Sequence, residues 1–135
     1  MWPFRRRAAP PPLPAPVVRD GVVATCERVG LHVSWSWRLH GTAFTIDGDE
    51  LPDDWLEASR RALATMEALG PEIRIVVRHH LRGWGPPDAA VYSVRLTPDV
   101  APDAFEVIAE ADAWGDLAVS IDVAHGAING GLGGS

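Results

Sequence analysis

The sequence has one cysteine, no lysine and no long apolar run, and these shortages exclude several classes of protein. Because Cys26 stands alone, no disulfide can form within the chain, which fits a cytoplasmic location. No apolar stretch approaches the roughly 18 residues that a membrane-spanning helix needs. The early arginines are followed by a proline-broken segment, so the sequence predicts neither a secretory nor a twin-arginine export signal.

Positive charge is scarce overall and concentrated at the start of the chain. The net charge of the 135 residues is −6, yet residues 1–19 carry four arginines and no acid. The remainder carries eight arginines against eighteen acids. Binding to nucleic-acid phosphates depends on clustered positive charge, which an acidic body lacks. Nucleic acid is therefore an unfavourable partner.

Proline and glycine divide the chain into a body and two tails. Residues 1–19 hold six prolines and predict a disordered tail of polyproline type. Residues 125–135 hold five glycines and predict a flexible tail. We therefore expect one folded domain at 20–124, which is long enough to bury a core.

The clearest pattern in the body is the alternation of apolar and polar residues from 31 to 40. A period of two predicts a strand with one buried face and one solvent-facing face. Similar patterns predict further strands, and a period near 3.6 predicts two helices. The other expected strands are 22–29, 42–46, 72–81, 90–96 and 117–123, and the expected helices are 53–69 and 102–114.

The expected fold is a two-layer α+β sandwich in the order ββ(β)αββαβ. Five to six mostly antiparallel strands would form its sheet, with both helices packed on one face. Two arrangements fit this order: a ferredoxin-like core with added strands, or a β-grasp-like sheet. The order of elements does not distinguish them, and no resemblance to a known family is specific enough to state.

Arginine and histidine fill the polar positions of the expected strands and therefore predict a basic open sheet face. Arginine makes planar two-point contacts with carboxylates and phosphates, so such a face could bind an acidic protein surface or a phosphate-bearing ligand. Trp84 stands between two glycines in an expected loop and is a candidate contact anchor. The alternative is an ordinary solvated face whose arginines pair with neighbouring acids. The candidate binding residues are Arg38, Arg74, Arg78, His80, Arg82, Arg95 and Trp84.

No arrangement of catalytic or metal-binding residues stands out. His79 and His80 would point to opposite faces of the expected strand, and the sequence has no cysteine pair. Cys26 lies in an expected strand, where a small buried side chain is a better interpretation than a reactive thiol. We therefore expect no metal, no cofactor and no enzymatic activity. The alternative is a small enzyme with a site under the Trp84 loop.

Together these features predict a small, non-enzymatic domain that binds another protein, a class that includes toxin-neutralising partners. A second hypothesis is a ubiquitin-like protein with a Gly133-Gly134 tail that is conjugated or thiolated through Gly134, which would require removal of Ser135. The residues Trp2, Phe4, Arg5, Arg6 and Arg7 are a weak signal for contact with an anionic membrane. The sequence names no particular partner.

Overall fold

The computed structural model describes residues 11–134, with the backbone alone described at 131–134. Residues 11–16 are exposed and lie outside the regular secondary structure. The predicted membrane-contact residues Trp2, Phe4, Arg5, Arg6 and Arg7 lie outside the described residues, as does Ser135.

The described chain forms one eight-stranded sheet in which the strands lie side by side in chain order. Every neighbouring pair is antiparallel except the pair at the centre, which is parallel. The strands are β1 (Val17–Arg19), β2 (Val22–Val29), β3 (His32–Leu39), β4 (Thr42–Asp47), β5 (Val91–Leu96), β6 (Phe105–Glu110), β7 (Ala118–Ala124) and β8 (Ala127–Gly134).

Two helices, α1 (Trp55–Ala68) and α2 (Gly70–Leu81), connect β4 to β5. Antiparallel neighbours can be joined by tight turns, whereas parallel neighbours need a long crossover connection. The two helices supply that crossover, which is why β4 and β5 run in the same direction. Short 3₁₀ turns at Pro87–Ala89 and Asp112–Trp114 complete the loops on either side of β5 and β6.

Left-handed residue pairs make the tight turns of the hairpins. Asp20 with Gly21, His40 with Gly41, and His125 with Gly126 all have positive φ angles. Two consecutive positive φ angles define a type I′ turn, whose twist matches that of the flanking strands. These turns let β1, β3 and β7 each pair directly with the following strand.

The buried face predicted for residues 31–40 is confirmed within β3. Trp35, Trp37 and Leu39 are 2%, 4% and 6% exposed, whereas Leu31 lies in the preceding turn and is fully exposed. Buried side chains of β2 to β7 and of both helices form a single hydrophobic cluster. Both helices therefore pack on the same face of the sheet, and the other face is left open.

One polar side chain, Ser59, is buried inside this cluster between α1 and β3. The indole Nε1–H of Trp37 donates to the Ser59 Oγ at 2.9 Å. The Ser59 hydroxyl in turn donates to the Trp55 carbonyl at 2.7 Å. A buried polar group without a hydrogen-bond partner costs free energy. These two hydrogen bonds give the Trp37 N–H and the Ser59 hydroxyl protein partners inside the core.

The expected five- to six-stranded sandwich in the order ββ(β)αββαβ is wrong. Four strands precede the two helices and four follow them, in a single mixed sheet. The strands also extend beyond the expected domain of 20–124, because β1 lies before it and β8 after it. Residues 127–134, expected to be part of a flexible tail, pair with β7 along their length.

The expected strand at 72–81 is helix α2. Ile73, Val77 and Leu81 are buried at 3%, 0% and 2% exposure, while Ile75 is 63% exposed. A spacing of four fits one face of a strand and one face of a helix, so the pattern was ambiguous. Ile75 and Val76 distinguish the two, because a strand would have buried Ile75 with the others and placed Val76, which packs against the core, on the opposite face.

The expected helix at 102–114 contains strand β6 instead. Phe105, Val107 and Ala109 are 3%, 0% and 0% exposed, which is a period of two. The expected helix stripe depended on Ile108, which lies on the partly exposed face of β6. Pairing with β5 and β7 on both sides holds this segment as a central strand.

Candidate functional site

Three of the seven predicted binding residues lie on one face of α2 and its C-terminal cap. Arg74, Arg78 and Arg82 follow one another at intervals of four residues, and all are exposed. On a helix, side chains four residues apart, such as Arg74 and Arg78, are neighbours about 6 Å apart at their Cβ atoms, and Arg82 follows as the left-handed C-cap residue. We call these three residues the α2 arginine stripe.

The α2 arginine stripe is not neutralised by the acids around it. Within residues 11–134, the arginine ion pairs with N···O distances up to 4.0 Å involve Arg19, Arg60, Arg61 and Arg95 only. The three guanidinium groups of the stripe therefore make no ion pair within 4.0 Å among the described residues, on a chain whose net charge is −6.

Trp84, which lines a shallow depression together with Arg82, is both exposed and held in place. The chain turns after α2 through Arg82 and Gly83, whose φ angles are 48° and 80°. The backbone N–H of Trp84 then donates to the Leu81 carbonyl at 2.8 Å. The Trp84 residue is 70% exposed, yet its indole Nε1–H donates to the Trp114 carbonyl at 3.1 Å.

The support beneath Trp84 is a buried tryptophan. Trp114 is 1% exposed, and its Nε1–H donates to the Pro86 carbonyl at 2.9 Å. A Cβ atom added at Gly85 would lie 2.5 Å from the Trp114 Cδ1, so only glycine fits against that ring. The loop after α2 is thus tied to the loop before β7 by two indole hydrogen bonds.

His80 completes the group that the structure brings together. It is half-buried and lines a shallow depression beside Trp84. The depression holds one acid, Asp116, among mainly apolar and basic residues. Its lining is His80, Leu81, Arg82, Trp84, Trp114, Gly115, Asp116 and Leu117.

Arg38 and Arg95 lie elsewhere, on the open face of the sheet, and the prediction of one basic sheet face is wrong. Arg38 is exposed and donates to the Gly41 carbonyl at 3.3 Å. Arg95 lies between two carboxylates, with Nη1 3.5 Å from Asp47 and Nη2 3.1 Å from Glu106. The physical reason for the error is that 72–81 is a helix, so its arginines never join the sheet.

The strand register shows that the open face is acidic and includes a row of small hydroxyl side chains. Thr25, Ser36 and Thr45 lie side by side across β2, β3 and β4. The acids on this face outnumber the arginines. The acids are Glu27, Asp47, Glu106, Glu110 and Asp122, and the arginines are Arg38 and Arg95.

Tyr92 of β5 lies close to the α2 arginine stripe and has a perturbed pKa. Burial raises the pKa of its phenol above the ordinary value of 10.0. The positive charge of Arg74 opposes that rise, and the negative charge of Asp88 adds to it. The pKa of Tyr92 is therefore sensitive to the charge of Arg74.

Four findings concern the other hypotheses drawn from the sequence. No group of three or more histidine, cysteine or acidic side chains in the described part of the chain could hold a metal ion. Cys26 is 6% exposed. No helix between residues 11 and 134 is long and apolar enough to cross a membrane. Gly133 and Gly134, the residues of the ubiquitin-like hypothesis, pair with Val119 and Ala118 in the sheet.

A second concave site, which the sequence analysis missed, lies between α1 and the loop of residues 97–104. It is a cleft of about 300 Å³. Its walls come from elements far apart in the chain, so no local motif could have shown it. We call it the α1 cleft, and its lining includes Ile46, Trp55, Ala58, Arg61, Ala62, Thr65, Leu96, Asp103 and Phe105.

Comparison with protein-family models, with curated proteins and with solved structures finds no match to this chain.

Proposed function

We propose that this protein is a non-enzymatic interaction domain that binds an acidic segment of a partner protein through the α2 arginine stripe and Trp84. The observation that carries the proposal is the combination of three exposed arginines, unpaired among the described residues, with an exposed tryptophan that is anchored by Trp114. His80 lies at the edge of the same surface.

The chemistry of these side chains suits a protein partner with carboxylates. A guanidinium group makes parallel hydrogen bonds to a carboxylate, which a lysine ammonium cannot do. Tryptophan and arginine are enriched among the few residues that dominate binding energy at protein interfaces. Because hydrogen bonds already hold Trp84 in place, its ring loses little conformational freedom when a partner covers it.

The charge distribution supports the same partner. The chain as a whole is acidic, and so is the open face of its sheet. An acidic partner is therefore repelled from most of the surface and attracted to the stripe, which favours one binding orientation. This attraction weakens with added salt, because exposed charges are screened over about 8–10 Å at physiological ionic strength.

The test is recovery of a partner by the tagged full-length protein and by two variants. In the first variant, Arg74→Glu and Arg78→Glu reverse the charge of the stripe. In the control, Arg38→Glu makes the same kind of change on the other face of the sheet. We expect wild type and the control to recover the same stoichiometric partner, and the stripe variant to lose it.

The affinity of the recovered partner is then measured at several salt concentrations. We expect affinity to fall as salt rises, and circular dichroism to show that the stripe variant is folded. A partner that binds all three forms equally, or the recovery of no stoichiometric partner, would contradict the proposal.

A further inference from the structure

The α1 cleft shares no residue with the α2 arginine stripe and lies at a distinctive place in the sheet. Ile46 and Leu96, near the carboxyl ends of β4 and β5, both line it. These two strands are the parallel pair. The cleft therefore opens at the carboxyl ends of the parallel pair, between the start of α1 after β4 and the 97–104 loop after β5.

The interior of the α1 cleft is apolar. Trp55, Phe105, Ile46 and Leu96 line it and are between 1% and 7% exposed, so they belong to the hydrophobic core. Its volume is near the lower end of the roughly 300–1,000 Å³ typical of small-molecule sites. These walls suit a compact apolar group such as a single aromatic ring.

Small residues of α1 leave part of this space open, and they line the cleft together with Trp55 and Arg61 of the same helix. Ala58, Ala62 and Thr65 lie on one face of the helix and line the cleft. A larger side chain at Ala58 would enter the same space. The Thr65 hydroxyl also adds a hydrogen-bonding group to the lining.

The charges among the lining residues favour a positive head group. Arg61 Nη2 lies 3.1 Å from Asp54 Oδ2, so these two charges compensate each other. Asp103 Oδ1 lies 3.6 Å from His125 Nδ1, which is positive only when protonated. Among the described ion pairs, Asp103 has no arginine partner. A ligand carboxylate would meet both acids, whereas an ammonium group would be attracted to Asp103.

We propose that the α1 cleft binds a small amphipathic amine. The apolar body lies against Trp55 and Phe105, and the ammonium group pairs with the Asp103 carboxylate. The acidic net charge of the chain raises the local concentration of such a cation. This proposal does not depend on the partner-binding role of α2.

The test titrates the full-length protein with phenethylamine and with 3-phenylpropionate, which have the same ring and linker but opposite charges. Binding is followed by NMR chemical-shift changes. We expect the amine to bind saturably with shifts at the cleft residues, and the carboxylate to bind more weakly. Asp103→Asn should weaken amine binding about three- to fivefold, the effect of losing an ion pair worth about 1 kcal/mol at a partly exposed site.

A matched pair of helix substitutions tests the location. Ala58→Leu fills the cleft and should abolish amine binding, whereas Ala64→Leu changes an exposed position of α1 outside the lining and should leave it intact. Arg74→Glu should also leave it intact, which separates this test from that of the proposed function. Equal binding of the carboxylate, binding that survives Ala58→Leu, or no binding of the amine would overturn the proposal.

Discussion

The indole Nε1–H of Trp84 donates to the backbone carbonyl of Trp114 at 3.1 Å, so an exposed ring is bonded to the loop that carries a buried one. The Trp114 indole N–H in turn donates to the backbone carbonyl of Pro86, two residues after Trp84. An aromatic side chain on a surface loop is ordinarily mobile, but here two loops hold each other. The exposure of Trp84 is thus a property of the fold and not of a loose segment.

The first prediction concerns Gly85, the residue that lets Trp114 approach the loop. We expect Gly85→Ala to destabilise the protein by about 1–3 kcal/mol, because its Cβ would overlap a buried ring that cannot move freely. Urea denaturation measures the change. Gly70→Ala is the control, since its nearest atom would be Arg74 Nη1 at 3.8 Å. Equal stability of the two variants would contradict the packing described for Trp114.

The second prediction concerns the buried hydrogen bonds at Ser59. We expect Ser59→Ala to cost about 1–3 kcal/mol in the free energy of unfolding, because the Trp37 indole then has no acceptor in the core. Ser36→Ala, on the open face of the same sheet, should change stability by less than about 0.5 kcal/mol. Thermal or urea unfolding of both variants checks this. A loss at Ser59 no larger than at Ser36 would mean that Trp37 finds another acceptor.

The third prediction concerns the alkaline titration of Tyr92, the only tyrosine in the chain. Its folded-state pKa is raised, so the unfolded chain loses this proton before the folded protein does. The stabilisation is therefore complete below pH 10 and is lost as the pH rises through the folded-state pKa. Ultraviolet absorbance of tyrosinate should give a midpoint above that of the urea-unfolded chain.

The surroundings of Tyr92 provide two further checks. The Tyr92→Phe variant should lose less of its free energy of unfolding as the pH rises above 10, because it has no phenol to ionise. Arg74→Gln should raise the folded-state midpoint further, because the Arg74 charge lowers the pKa. A midpoint that is the same in folded and unfolded protein would contradict the burial of the phenol.

The fourth prediction concerns β8, the glycine-rich strand at the edge of the sheet. Ile128 is partly buried against the core, so Ile128→Ala should destabilise the protein by about 1 kcal/mol. Ile75→Ala, the same substitution at a residue that is 63% exposed, is the control. Amide hydrogen exchange should show protection within 127–130. Exchange at the rate of a free chain, together with no effect of Ile128→Ala, would mean that this segment is a tail.

Local pattern was enough to predict much of the first half of the chain. The alternation in β3 identified Trp35 and Trp37 as core residues, because a strand with one buried face can satisfy a period of two in only one register. The apolar stripe of α1 and the glycines of the hairpin turns were equally local signals. The segment predicted for the last strand before the tail, 117–123, also corresponds to β7.

The apolar pattern did not predict the structure correctly where the same spacing fits both a helix and a strand. It also failed where the segment has few side chains that could show a period. In β6, the buried set was obscured because Ile108 is apolar yet lies on the partly exposed face. In β8, glycines provide few side chains to reveal a period, and pairing with β7 makes the strand. The α1 cleft could not be predicted from the sequence, because α1 and the 97–104 loop come together only in the folded chain.

The sequence by itself determined that Arg74, Arg78 and Arg82 share one face, because a spacing of four places them together on either a strand or a helix. It also determined the buried tryptophans of β3. Only the tertiary structure decided that the arginines lie on α2 and not beside Arg38 and Arg95. The physical reason is that a parallel β4–β5 pair needs a crossover connection, and the buried Ile73, Val77 and Leu81 pack this segment onto the sheet as a helix.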